Sequence, residues 1–529
     1  RNGIKGTTWC KGGALHARNG VIIKINRDVV FSKNVCKVQG NKTSWLAQQL
    51  AGAIYMHDSD LIVDGATSHL TIEYNEARVA GGIYMSGGNF KVTNGGTVRV
   101  SSNHGSIHGG GVHIETNYAM TSATLVVDGE GSSLVLERNR AQKGAGMSAY
   151  GHRYEGPITL NDDLFVKRTA PTDLDKSYRN IQIILSNGGS LTSTHNAGAQ
   201  HTESMAIRGV GIELKNEVYV HAKGQSSVFE VSHNSADPDL FLSRYKSMFS
   251  SKGGGIHADR ARFKATSGGK INIHHNSAGH EGGAYFLSSS ITVDGKQVNG
   301  NGVEATSSIR VAHNKALFTG GGVSVENSNM IIKNKGQFIL DSNVAEEKDG
   351  GGMAIKKGGV VSVSKDSTYK IVHNMVKQGD GGGISVGGRS TLSLLGNGGE
   401  FRNNSALNGV GGAISRYFQN GDLDDGRIGE CMWVDTQILS RSPHRSGVSL
   451  DTYPYSEFNV KADLNAITIK LTTKNLASSP TKRLRFLTSP VSTTCDLKNE
   501  SSTYGYGIVK GAVCYSNKNT TYIPDHLNL

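Results

Sequence analysis

A chain of 529 residues is too long for one compact core, which stops growing at roughly 250–300 residues, unless that core is extended by repetition. Its 69 glycines against 8 prolines and 7% aromatics suit tight turns between short strands and argue against long helices. The net charge of +12 and pI of about 9.3 permit attraction to acidic glycans, but no long Lys/Arg block or nucleic-acid-binding motif accompanies them, so nucleic acid is not an expected partner.

The chain begins Arg1-Asn2-Gly3, with neither Met nor a signal-peptide pattern, and no run of about 18 apolar residues follows. The expectation is a secreted, already processed chain without a transmembrane helix. From Cys10 to Ser415 one unit recurs: apolar-x-x-Asn-x-small, a variable loop, then Gly-Gly-apolar-x-apolar. Its asparagines are Asn34, Asn75, Asn103, Asn139, Asn196, Asn234, Asn276, Asn314, Asn343, Asn374 and Asn404. Three residues earlier stand Phe31, Ile72, Val100, Leu136, Ser193, Val231, Ile273, Val311, Leu340, Ile371 and Phe401, so that ten of eleven are apolar. Two residues later the slot is small, as at Cys36, Ala77, Gly105 and Ala141, which implies a crowded inward corner.

A closing glycine recurs at Gly13, Gly52, Gly82, Gly111, Gly146, Gly211, Gly255, Gly283, Gly322, Gly352, Gly383 and Gly412. Such regularity needs a backbone reason, either positive φ or an approach too close for a Cβ. Alternation after it, as in Ile83-Tyr84-Met85 and Val323-Ser324-Val325, reads as a strand with one face inside. A second stretch such as Arg262 to Ala265, and a third such as Lys270 to Ile273, make two or three strands per unit. Intervals of 28 to 57 residues between asparagines put the length variation into loops.

These signals predict an all-β chain: a right-handed parallel β-helix of about twelve coils over 1–415, the coils roughly 4.8 Å apart. Each asparagine would bond to the coils above and below as a structural ladder. Insertions are expected near 151–180, with Pro157 and Pro171, and near 237–252, with Leu240, Phe241, Leu242 and Phe249. After Ser415 only 7 of the 69 glycines but five of the eight prolines remain, so 416–529 reads as a β-rich C-terminal cap or linking domain.

Cys10 and Cys36 lie about one coil apart, so stacking can bring them into bridging range, and Cys495 with Cys514 can close a C-terminal loop, leaving Cys431 over. Cys36 also serves simply as a small corner residue. Sequons at Asn41, Asn403, Asn499 and Asn519 are glycosylation candidates in a eukaryotic secretory pathway.

Phe401-Arg402-Asn403-Asn404 with Gly411-Gly412-Ala413-Ile414, and more loosely Phe31-Ser32-Lys33-Asn34 with Gly12-Gly13-Ala14-Leu15, resemble the F-x-x-N and G-G-A-I repeats of the chlamydial polymorphic outer-membrane proteins. The resemblance covers Cys10 to Ser415 and implies right-handed coils on the cell exterior, used in that family for adhesion. The chain departs from the pattern by using Val, Ile or Leu for most of the phenylalanines, and no outer-membrane barrel is legible after the repeats. The repeats are also similar to those of secreted β-helix proteins of eukaryotic microbes.

Polysaccharide lyases and hydrolases share this fold, and such hydrolases use paired carboxylates, one protonating the leaving oxygen while the other activates water. Asp162-Asp163 and Asp424-Asp425, with Arg427 nearby, are the candidates; Gly279-His280-Glu281 is a poor substitute for a pectin-hydrolase motif. Asp58, Asp60 and Asp64 are the nearest approach to a calcium cluster. All read more simply as turn or surface acids. Histidine precedes the asparagine at His195, His233, His275, His313 and His373, a stripe for a metal, a polyanion or a pH response, or else an ordinary corner position. The outward positions Tyr84, His113, His257 and Tyr285 form a row that can face sugar rings or can be plain half-exposed surface.

The sequence thus favours a non-enzymatic extracellular scaffold: a structural subunit of a coat, appendage or filament, or an adhesin stalk. Expected partners are other copies of itself, other surface proteins and acidic glycans, with no cofactor and no metal. A secreted lyase or glycoside hydrolase acting on acidic polysaccharide is the alternative.

Overall fold

The computed structural model describes residues 3–6, 9–38, 48–116, 122–151, 181–198, 207–236, 251–295, 306–387, 390–396, 399–408 and 412–417, with isolated short strands beyond. Among these there is no helix. The chain winds through four parallel sheets in turn, rising one level per circuit. The first holds twelve post-glycine strands, from Leu15–Arg18 to Ile414–Tyr417, and the second eleven, from Ile22–Ile25 to Thr391–Leu394. The third holds eleven, from Val29–Ser32 to Glu400–Arg402, each ending just before the asparagine, and the fourth twelve, from Gly3–Gly6 to Ser405–Ala406. This is a right-handed parallel β-helix. A coil has four strands rather than two or three, because the small-residue slot after each asparagine also pairs, as Ser277–Ala278 does with Lys315–Ala316.

Period-two burial builds the core. In Lys270–His274, Ile271 and Ile273 are buried between half-exposed or exposed neighbours, and in Arg262–Thr266 the same holds for Phe263 and Ala265. In-register stacking makes one apolar column of each inward position, and across the core, between sheets, Phe263 meets Phe229 and Phe286 edge to face. The one polar residue in the column before the asparagines, Ser193, lies between Leu136 and Val231 and donates to the Gly211 carbonyl at 3.0 Å.

Register corrects the glycine column. Leu15 pairs with Ile54 and Ile54 with Ile83, so Gly13 and Gly52 align with Gly81, one position before the closing slot, and Gly412 likewise aligns with Gly382. The slot itself holds Ala14, Ala53 and Ala413 in those coils. Where glycine does fill it, close approach is the reason: a Cβ on Gly283 would stand 2.3 Å from the Gly322 carbonyl oxygen of the next coil. Positive φ is needed two residues earlier, for example at Gly109, Gly253 and Glu281.

The residue before each asparagine is also left-handed, with φ between 52° and 58° from Lys33 to Asn403, and none of the eleven is glycine. The recurrent histidine there is one of the side chains that enters this region more readily than most.

The insertion near 151–180 follows the first-sheet strand Met147–Tyr150, and that near 237–252 follows Ser235–Ala236; apart from Gly151, Ser251 and Lys252 both lie outside the described residues. Of 416–529, expected as a cap, only Arg416, Tyr417 and short strands are described. Glu457–Ala462 runs antiparallel to Thr391–Leu394 and to Ile467–Thr472, extending the second sheet past its last coil.

Candidate functional site

The eleven asparagines stand in one buried line, each at most 5% exposed. From Asn34 to Asn404, each side-chain Nδ2 donates to Oδ1 of the next at 2.9–3.2 Å. That same Oδ1 accepts the backbone N–H of the preceding asparagine at 2.8–3.1 Å. From Asn75 onward the other Nδ2 hydrogen goes back to the carbonyl beside the preceding corner, as from Asn276 to Val231 at 2.9 Å. Both donors and both lone-pair directions of each internal amide are thereby used, which leaves none for a ligand.

Outside the ladder, on the left-handed corners, the imidazoles of His195, His233, His275 and His313 are exposed and stacked, with centroids 4.8, 4.7 and 4.8 Å apart and planes within 25°. His373 stands beyond Ser342 and meets Asp341 at 3.4 Å. Parallel rings direct their lone pairs the same way and cannot converge on one ion. Among the described residues no group of three or more His, Cys, Asp or Glu side chains could hold a metal.

The proposed sugar-facing row is corrected. Tyr84, His113, His257 and Tyr285 are 3%, 1%, 3% and 2% exposed. From Tyr55 onward the corresponding residue of each first-sheet strand is covered by the corner segment beside it, where His108, Lys143, Arg208, Lys252 and His280 bridge from coil to coil, whereas His16 in the first strand is exposed. Their rings stack along the rod instead of offering faces: Tyr55 on Tyr84 at 5.1 Å, Tyr84 against His113 at 5.4 Å, and His257 against Tyr285 at 5.3 Å under the Lys252 ammonium. Period-two alternation cannot signal a cover supplied by another part of the coil.

Near its N-terminal end this row opens into a cleft of about 450 Å³ lined by Lys11, Arg18, Tyr55, His57, Tyr84, His108, His113, Glu115 and Tyr150, among others. Glu115 accepts from the Tyr84 hydroxyl and lies 3.1 Å from His113 Nε2. Burial pushes its carboxyl up, but the His113 and Tyr84 contacts outweigh this and hold it below the usual range. Tyr150 bonds both His108 and Glu213, the latter 3.2 Å from Lys215, while desolvation chiefly holds His108 neutral. Glu115 is the one carboxylate among the residues described as lining the cleft, whereas inverting and retaining glycosidases need two.

The remaining acids divide. Asp60 accepts the backbone and side-chain N–H groups of Asn89, and Asp64 accepts from Thr93 and Asn94, so both serve contacts between coils. Asp58 lies 3.5 Å from His57. Glu281 is 2% exposed beside Lys356, and His280 stacks on Phe318 at 4.7 Å. Asp162, Asp163, Asp424, Asp425 and Arg427 lie outside the described residues, as do Asn41, Asn499, Asn519, Cys431, Cys495 and Cys514. Asn403 occupies an exposed corner, and Cys10 is bonded to Cys36 with their Cα atoms 5.6 Å apart.

These features define the class, a β-helical solenoid held by an internal amide ladder. No family model matches the chain, and no curated protein matches it. Among solved structures, a TibC-catalysed hyper-glycosylated fragment of TibA is similar at 10% identity, covering 77% of this chain and 98% of that one, with a TM-score of 0.20. A likeness of that size carries no functional argument.

Proposed function

We propose that the chain is a non-enzymatic extracellular rod, either a building block of a surface coat, appendage or filament or the stalk of an adhesin. The observation that carries this reading is the unbroken asparagine ladder. It spends buried amides on joining successive coils and runs from Asn34 to Asn404 without a gap. The Cys10–Cys36 bridge suits an oxidising exterior, and the F-x-x-N and G-G-A-I resemblance to chlamydial surface proteins points the same way.

Electron microscopy of native material tests the proposal. Rods in which identical copies touch along extended faces would make the chain a subunit, and dispersed rods with one saturable receptor site would make it a stalk. Cleavage of an acidic polysaccharide by the isolated protein, abolished by Asp162→Asn or Asp163→Asn, would replace both with the enzyme reading.

A further inference from the structure

The exposed corner edge has a chemistry that the rod does not need. Serine fills the same left-handed slot at Ser102 and Ser342, with φ of 55° at each, so four successive histidines are not demanded by the backbone. Their rings nevertheless stand in line at 4.7–4.8 Å intervals, one per coil, and all four residues are exposed, with Nδ1 of His195 against Thr194 Oγ1 and Nδ1 of His275 against His274 Nδ1, each at 2.9 Å. We propose that the edge formed by His195, His233, His275 and His313 binds a single extended chain of acidic polysaccharide.

The surroundings fit that ligand. On the third-sheet side the neighbours are Thr194, Ser232, His274 and Ala312; on the fourth-sheet side they are Ala197, Ser235, Ser277 and Lys315. Thr194 beside His195 and Ser235 and Ser277 beside His233 and His275 put hydroxyls next to three of the four imidazoles, and Lys315 stands beside the fourth. Arg138 precedes the row, Ser342 and His373 follow it, and Arg310 adds positive charge near His275.

Nearby carboxylates are already paired: Glu230 with His274, Asp341 with Arg310 and His373, and Glu346 with Lys315 and Lys377. A narrow straight edge with one donor per coil suits one strand of regularly spaced carboxylates or sulfates. A flat membrane or a wide duplex would meet only a fraction of it.

Desolvation and the repulsion of neighbouring imidazoles lower the affinity of His233 and His275 for protons, so these two rings are largely neutral near pH 7. A bound polyanion supplies the missing countercharge, so binding takes up protons and strengthens on acidification.

The choice of polysaccharide rests on the extracellular reading, whereas the histidine edge does not. The test is titration of the full chain with polygalacturonate and with a heparin oligosaccharide at about pH 5.5 and about pH 7.5. The variants are His233→Ser with His275→Ser and, separately, His195→Ser with His313→Ser, each checked for an unchanged strand-rich circular dichroism spectrum.

The expected result is affinity for at least one probe that is about tenfold higher at the lower pH, with proton uptake, and loss of that gain in either pair of substitutions. The rest of the +12 surface is common to all proteins compared, so the difference isolates the edge. Equal binding by parent and variants at the lower pH would overturn the proposal, as would histidine-dependent binding that favours single-stranded DNA or anionic vesicles over both polysaccharides. A chain that assembles into rods yet fails this test would leave the scaffold reading standing.

Discussion

Asn276 shows how much one side chain carries. Its Oδ1 accepts from the backbone and side chain of Asn234, and its Nδ2 donates to Val231 and Asn314, all at 2.9–3.0 Å with the residue 1% exposed. Asn276→Ala would strand these partners in a dry corner, at a cost of at least about 3 kcal/mol by the usual penalty for buried unpaired groups. Asn276→Asp keeps the acceptor and loses the donor, so an intermediate loss is expected. Urea midpoints of the two variants check the order. Gly283 is governed by space instead: Gly283→Ala drives a Cβ against the Gly322 carbonyl and should cost about 1–3 kcal/mol. Ala53→Gly, at the equivalent slot, should cost at most about 1 kcal/mol, and the same denaturation series reads both.

At the scale of the strand, the first sheet differs from the other three because from Ile54–His57 onward both its faces are covered. Its outer row changes character along the rod, from Tyr55, Tyr84 and His113 through Glu213, His257 and Tyr285 to Ser324, Ser385 and Ser415. His257 is held well below its ordinary range, first by burial and then by Lys215, Arg208 and Lys252. The unfolded chain takes up a proton there as pH falls below about 6.5 and the folded chain does not, so stability is full above that pH and declines below it. Carboxyls raised by desolvation, the buried Glu281 and the half-buried Asp349, act with the opposite sign and recover stability as they protonate. A denaturation midpoint that drops between about pH 7.5 and about pH 5.5, with a shallower drop in His257→Gln, is the expected outcome.

For the whole molecule, each coil contacts chiefly its neighbours, so stability is a sum of local terms and the ends fray first. Cys10 and Cys36 are 26 residues apart and tie down the first winding; a loop of that length is worth about 3–4 kcal/mol in the chain-entropy account. Reduction should therefore speed amide exchange in Leu15–Arg18 and Ile22–Ile25 while leaving central strands such as Ile256–Asp259 protected, as hydrogen-exchange mass spectrometry would show. Twelve levels at roughly 4.8 Å make a stack of about 55 Å, a rod whose long edges recur with the coil rather than with the sequence interval. That is why residues 57 positions apart, Asn139 and Asn196, are hydrogen-bonded neighbours.

By itself the sequence determined the coil, its inward columns and its asparagine corners, because these repeat the same side-chain chemistry at every level and repetition is visible without coordinates. Tertiary structure alone decided which glycines share a slot, since Gly13 and Gly82 look equivalent until register separates them by one position. It also decided that Tyr84, His113, His257 and Tyr285 are interior, because the segment covering them comes from a different part of the coil and leaves no mark on their own alternation. The histidine stripe was legible as spacing. Its open, parallel stacking follows from the left-handed φ of each corner, a backbone property that the identity of a histidine permits but does not specify.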